Sequence, residues 1–169
     1  MPSDNPFWDF SLTVYRKPGV AEACLRLQDG AGVDVNLLLY ACWLATVRDA
    51  PLDDAELRAA VAQTDAWRDR VVRPLREVRR WMKGGADGVP AAPVESLRTA
   101  VKRAELESER LQQDMLFAIA GAVTSRPTDA GTAQRIADNI AAYLRITGVA
   151  LSDSVHEDCQ KLAMAANAA

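Results

Sequence analysis

One histidine, His156, is all that this chain of 169 residues has of the side chain most often used as a general base or metal ligand near neutral pH. Most histidine-dependent chemistry is thereby set aside. The three cysteines, Cys24, Cys42 and Cys159, form no CxxC or other close pair, and two of them sit in apolar runs. Buried, reduced thiols are expected rather than a disulfide framework. The longest uncharged apolar stretch, Val35 to Val47, contains Asn36 and falls well short of the roughly 20 residues that span a bilayer. It is expected to be a core helix, with no transmembrane segment. No GxxxxGK[ST], GxGxxG after a strand, GxSxG or HExxH is present, so the commonest nucleotide, hydrolase and metalloprotease signatures are missing. No catalytic residue, metal or cofactor is expected on these grounds. With 20 basic against 23 acidic side chains the net charge is only -3, too balanced for general affinity toward nucleic acid or anionic membrane. Met1 to Asn5 lacks the basic and apolar regions of a signal peptide, and a cytoplasmic location is expected.

What is present is helical. Apolar residues make up 49% of the chain and charged ones 25%, the balance of an ordinary globular protein. Apolar spacing is three and four rather than two, and start and stop signals recur. Asn5 and Pro6 open a helix through Tyr15, with Phe7, Phe10 and Val14 on one side. Pro18 opens a second, ended by Gly30. Asp34 caps a third, whose run LLLYACWLA is apolar around its whole circumference and should form the centre of the core. Asp53 and Glu56 have capping-box spacing and start a short helix to about Gln63. A longer pattern runs from Thr64 to Lys83, where Pro74 predicts a kink or a break. Thr124 to Asp129 reads as a turn. Ile136, Ile140, Tyr143 and Leu144 mark a helix ending near Gly148, and a last helix starts at about Ser152, its tail AMAANAA expected to fray.

The stretch GGADGVPAAP, residues 84–93, has the small and proline-rich character of a linker. Beyond it, Leu97, Val101, Ala104, Ser108, Leu111, Met115 and Ala118 alternate four and three apart in a heptad stripe. The expected fold is all-α: a compact multi-helix bundle with one long heptad-patterned helix and no β-sheet. An N-terminal helical core, 1–83, is joined through 84–93 to C-terminal helices, 94–169, packed on the same core as a single domain. The stripe needs a surface to cover it, supplied in cis or by a homodimer partner.

The segment FWDFSLTVYRKPGVAEACLRLQDGAGVDVNLLLYACWLA, followed by WRDRVVRPLREVRR, resembles an uncharacterised proteobacterial family of small helical proteins, domain of unknown function 2390. The likeness covers about Phe7 to Lys83, with a weaker echo in AELESERLQQDMLFAIA. It implies a helical, cytoplasmic bacterial protein and brings no activity or site residue with it.

Two groupings invite a metal reading. Asp153, His156 and Cys159 fall three apart on one helical stripe, but a closed site needs a fourth ligand and none is indicated. Surface histidine beside solvated carboxylates is the expectation. Asp65 and Asp69 have the spacing of the DxxxD in helical prenyl-transfer enzymes, yet no second aspartate pair stands opposite. Asp65 is expected to favour a helix start and Asp69 to pair with Arg73.

The charge is uneven along the chain. Between Asp65 and Lys83 seven basic residues meet three acidic ones, whereas acidic residues prevail before and after. At about 100° per residue, Trp67, Val71, Leu75, Val78, Trp81 and Met82 share one face, and Arg73, Arg76, Arg80 and Lys83 gather opposite. These four basic residues are the candidate partner-binding site, because arginine forks bind carboxylate bidentately. The leading expectation is a non-catalytic adaptor that docks an acidic protein. The alternatives are an all-helical enzyme or small-molecule binder, marked by a deep polar pocket, and an electrostatic binder of nucleic acid or membrane surface. Stacking on nucleic acid is disfavoured because Trp67 and Trp81 are assigned to the apolar side.

Overall fold

Asp34 is where the core begins. In extended backbone, its carboxylate accepts from the backbone N–H groups of Asn36 and Leu37 at 3.0 and 3.3 Å, which starts helix α3, Val35–Val47. Every side chain from Leu37 to Ala45 is buried, so this helix is covered on all sides. A computed structural model describes residues 5–48, 51–85, 87–121 and 130–169. The turn expected at Thr124 to Asp129 lies outside these residues. Among the described residues the chain forms eight α-helices and one π-helical turn, with no β-strand.

Around α3 stand α1 (Pro6–Tyr15), α6 (Ala91–Ala120), α7 (Thr132–Thr147) and α8 (Asp153–Asn167). Phe7 meets Tyr40 edge-on at 5.6 Å between ring centroids, and Trp43 lies 5.3 Å from Phe7 and 5.8 Å from Phe117. Helix α7 lies along α3 and buries Ile136, Ile140, Tyr143 and Leu144 there. Its Asn139 donates to the carbonyl of Ala41 at 2.9 Å and accepts from the N–H of Leu52 at 2.9 Å, which satisfies a polar side chain in an apolar setting. Helices of the C-terminal segment thus pack on those of the N-terminal one. Helix α2 (Val20–Ala31) packs on α8, and the three cysteines are buried as free thiols. Burial pushes the thiol of Cys24 up to about 12 and that of Cys159 to about 11. No helix among the described residues is long and apolar enough to cross a membrane.

Several boundaries differ from expectation. Helix α2 passes through Gly30 and ends at Gly32, whose φ of +66° is the left-handed conformation that favours glycine. The tail expected to fray is helical to Asn167, with Ala165 and Ala166 buried. Helix α6 begins at Ala91, inside the stretch with linker composition.

The largest difference concerns Pro74. Helix α4 (Asp54–Trp67), started by the Asp53–Glu56 capping box, does not stop near Gln63. It continues through a π turn at Arg68–Val72 into α5 (Arg73–Met82). Proline has no N–H to offer the preceding turn, and its ring needs room there. The backbone supplies that room by widening one turn upstream, where the N–H of Arg73 bonds to the carbonyl of Arg68. One residue is thereby inserted and everything downstream turns by about 100°. The buried positions Leu57, Ala60 and Thr64 would lead, without interruption, to Val71, Leu75 and Val78. With the insertion they lead to Val72, Arg76 and Arg79. Val78 and Trp81, assigned to the packed face by a uniform helical wheel, are therefore exposed, Trp81 to 68%.

Candidate functional site

Turning Arg76 and Arg79 of α5 inward places them against α6. The face of α6 that points into the molecule is not the heptad stripe: Leu97 and Leu111 are exposed, as are Ala104 and Ala118, whereas Glu105, Ser108, Gln112, Gln113 and Leu116 are buried. Positions 105, 108, 112 and 116 recur at three and four residues, so with Gln113 they form one stripe down the helix, polar except for Leu116. Trp67, the last residue of α4, ties that helix to α6 as well, its indole N–H donating to the carbonyl of Ser108 at 2.9 Å.

Glu105 is held between two guanidinium groups. Arg76 donates from Nε to its Oε1 at 3.1 Å, while Arg79 donates from Nη2 to the same oxygen at 3.1 Å and from Nε to the other. Arg76 also donates from Nη2 to Oε1 of Glu109 at 2.6 Å. The bond to Glu105 holds the Arg79 guanidinium above its ordinary range, against the burial that opposes it. Burial raises the carboxyl of Glu109, and the neighbouring Arg76 only partly counters this.

Deeper in, the polar groups form a chain. Gln113 donates to the side-chain oxygen of Asn36 at 2.8 Å, Asn36 to that of Gln112 at 2.9 Å, and Gln112 to the carboxylate of Asp34 at 2.7 Å. Burial raises the Asp34 carboxyl, opposed by Gln112, by the N–H groups at the start of α3 and by Arg68, whose Nη1 is 4.0 Å away. At the other end of the chain is an unfilled acceptor. The Oε1 atom of Gln113 has no hydrogen-bond partner, although the residue is only 2% exposed.

These groups line a cleft of about 660 Å³ bounded by α1, α2, the start of α3, the π turn, α5 and α6. One wall is apolar, built from Trp8 and Leu12 of α1, Leu25 of α2 and Leu39 of α3; the other carries the arginines and glutamates. Tyr15 faces the glutamates from α1, and burial together with those charges pushes its hydroxyl up to about 12. A groove of about 920 Å³ on the far side of Asp34 and Arg68 is more open, and the Arg26–Asp158 pair in it is closed at 2.5 Å.

The four basic residues predicted as a docking site are separated by this geometry. Arg76 lies inside the ion-pair cluster. Arg73 pairs with Asp69 at 3.0 Å, as the spacing predicts, and Arg80 reaches across the cleft mouth to Asp29 of α2 at 3.0 Å. Lys83 is exposed just past the end of α5. Sequence reasoning misses Arg68, Arg79, Glu105, Glu109, Gln112 and Gln113. A signal exists in the polar run Glu105, Glu109, Gln112, Gln113 at helical spacing, which the apolar heptad overrides. Asp65 pairs with Arg68 at 2.9 Å, and His156 contacts Gln160 at 2.8 Å on the surface of α8. Among the described residues no group of three histidine, cysteine or acidic side chains could hold a metal ion.

The chain matches a family model described as protein of unknown function, DUF2390, over residues 6–116, and it belongs to that family. All of the cleft-lining residues named above fall within the matched span. No curated protein and no solved structure matches the chain.

Proposed function

We propose that this protein binds a small molecule in the cleft between α1–α2 and α5–α6. The observation that carries the reading is in the lining of the cleft: a chain of amides running from Asp34 ends in a buried, unpartnered Gln113 oxygen. Native interiors rarely leave such an atom without a water, ion or ligand to meet it. The cleft volume lies within the roughly 300–1,000 Å³ of ordinary ligand sites, and its mix of an apolar wall with a few convergent polar groups is their usual make-up. The pinned arginines add preorganisation, because two glutamates already fix their orientation.

A ligand-observed NMR screen of polar fragments tests this. Hits are expected to bind the parent protein and to lose binding when Leu12→Trp fills the cleft. The proposal falls if no fragment binds, or if the hits bind the filled variant equally well.

A second reading keeps the adaptor and moves its surface. Trp81, 68% exposed, stands on α5 one turn after exposed Val78 and adjoins exposed Arg80 and Lys83 in sequence, and tryptophan with arginine is the composition enriched at interface hot spots. An acidic protein partner would meet this patch rather than Arg76. Loss of a captured partner in Trp81→Ser, with Leu12→Trp still binding it, would favour this reading over the cleft.

A further inference from the structure

The chemistry still open in the cleft is of two kinds, and each wants a different group. Glu109 of α6 uses only one of its two oxygens, toward Arg76, and one turn later on the same face Gln113 Oε1 is an acceptor without a donor, buried beneath the cleft surface. A ligand group seated there must donate hydrogen bonds. Arg76 and Arg79 spend their Nε and Nη2 groups on the glutamates, which leaves the Nη1 group of each outside those bonds. A ligand group seated there must accept, and a planar anion fits best. Across from both lies the apolar wall of Trp8, Leu12, Leu25 and Leu39.

Charge narrows the choice. Seven basic and five acidic side chains line the cleft, so a purely cationic ligand would enter an excess of its own sign. A purely anionic ligand would set its charge beside the Glu105 and Glu109 carboxylates and offer no donor to the free oxygen of Glu109. A ligand carrying both ends, with an apolar body, meets Glu109 and both arginines.

We infer that the cleft takes a short apolar peptide with free ends, its amine on the free oxygen of Glu109, its carboxylate toward Arg76 and Arg79, and its side chains on the apolar wall. This rests on the cleft being the binding site.

Isothermal titration calorimetry on the full chain with three matched probes tests it: leucyl-leucine, N-acetyl-leucyl-leucine, which lacks the basic amine, and leucyl-leucinamide, which lacks the carboxylate. Leucyl-leucine is expected to bind, and each capped probe to bind at least about tenfold more weakly, since a site built for a polar group rejects the analogue without it. Glu109→Gln, which still offers Arg76 an acceptor, should weaken leucyl-leucine and bring it close to the acetylated probe, with the circular dichroism spectrum unchanged. Equal binding of the acetylated probe, or of the amide, overturns the assignment of that end. Failure of leucyl-leucine to bind while screened fragments still compete at the cleft overturns the peptide and leaves the cleft standing. Failure of both removes the cleft reading itself.

Discussion

The centre of the molecule and its cleft are built from opposite materials by neighbouring helices. Around α3 the packing is chiefly apolar; a polar intruder such as Asn139 is satisfied locally by Ala41 and Leu52, and the Tyr40 hydroxyl stands alone without a partner among rings and aliphatics. On the inner side of α6 the interior is polar: arginines of α5 bond its glutamates, and amides at the start of α3 bond its glutamines, with the Gln113 oxygen left over. The first region gains from removal of apolar surface from water and has little directional demand. The second has little hydrophobic gain and many directional demands, so removing one member leaves its partners unpaired. An architecture that accepts this in place of a second dry core is holding polar groups in position, and this is the physical ground for placing the site there.

If that contrast is right, the two regions break differently. Leu38→Ala, at a residue with no exposure, should cost on the order of 2–5 kcal/mol with unchanged chemistry in the cleft. Urea midpoints measure it, and a variant as stable as the parent would remove α3 from the centre. Glu105→Ala should cost about 2–3 kcal/mol, below the usual penalty for splitting a fully buried pair, because Arg76 and Arg79 keep some access to water and Arg76 keeps Glu109. Glu105→Gln, which retains an acceptor, should recover part of that loss in the same titration. A cost for Glu105→Ala within the error of the parent would make the cluster a solvated surface network.

The contrast also governs what can be read from the sequence. The caps at Asn5, Asp34 and Asp53 are legible because each depends on a few adjacent residues, and the all-round apolar run of α3 admits one interpretation. The face of α5 is not legible, because a uniform 100° wheel has no place for the residue that the π turn inserts ahead of Pro74. The buried side of α6 is hidden for a different reason. Its apolar stripe is real, but Glu105, Gln112 and Gln113 win the interior because polar partners on α3 and α5 await them. Which stripe faces inward is decided by the neighbour, and the neighbour is distant in sequence.

Acid should separate the regions more gently. The Glu109 carboxyl is raised by burial, so its stabilising contribution is fully present below the unfolded-state value and is lost as pH rises through the folded one. Lowering the pH from 7 toward about 4 should therefore stabilise the parent relative to Glu109→Gln, where this group no longer titrates. Thermal midpoints of the two proteins across that range measure the difference. A gap that stays constant, or moves against the parent on acidification, would mean that Glu109 is not desolvated in the cleft.

The smallest effect is expected at Leu111. It belongs to the heptad stripe whose pattern asks for cover, yet it is 42% exposed, and of the same stripe Ser108 is buried while Val101 and Met115 are half-buried. What remains outward is Leu97, Ala104, Leu111 and Ala118. Two leucines and two alanines spread along the helix do not amount to the roughly 800 Å² per partner of a stable interface. Leu111→Glu should consequently change stability by no more than about 0.5 kcal/mol and leave the light-scattering mass of the parent unaltered across concentration. Leu116→Glu, five residues along and fully buried, is the control that must unfold. A parent mass that doubles with concentration and is halved by Leu111→Glu would instead make the stripe a contact between copies. The outer side of α6 would then be an interface and its inner side the wall of the cleft, and one helix would couple self-association to whatever the cleft holds.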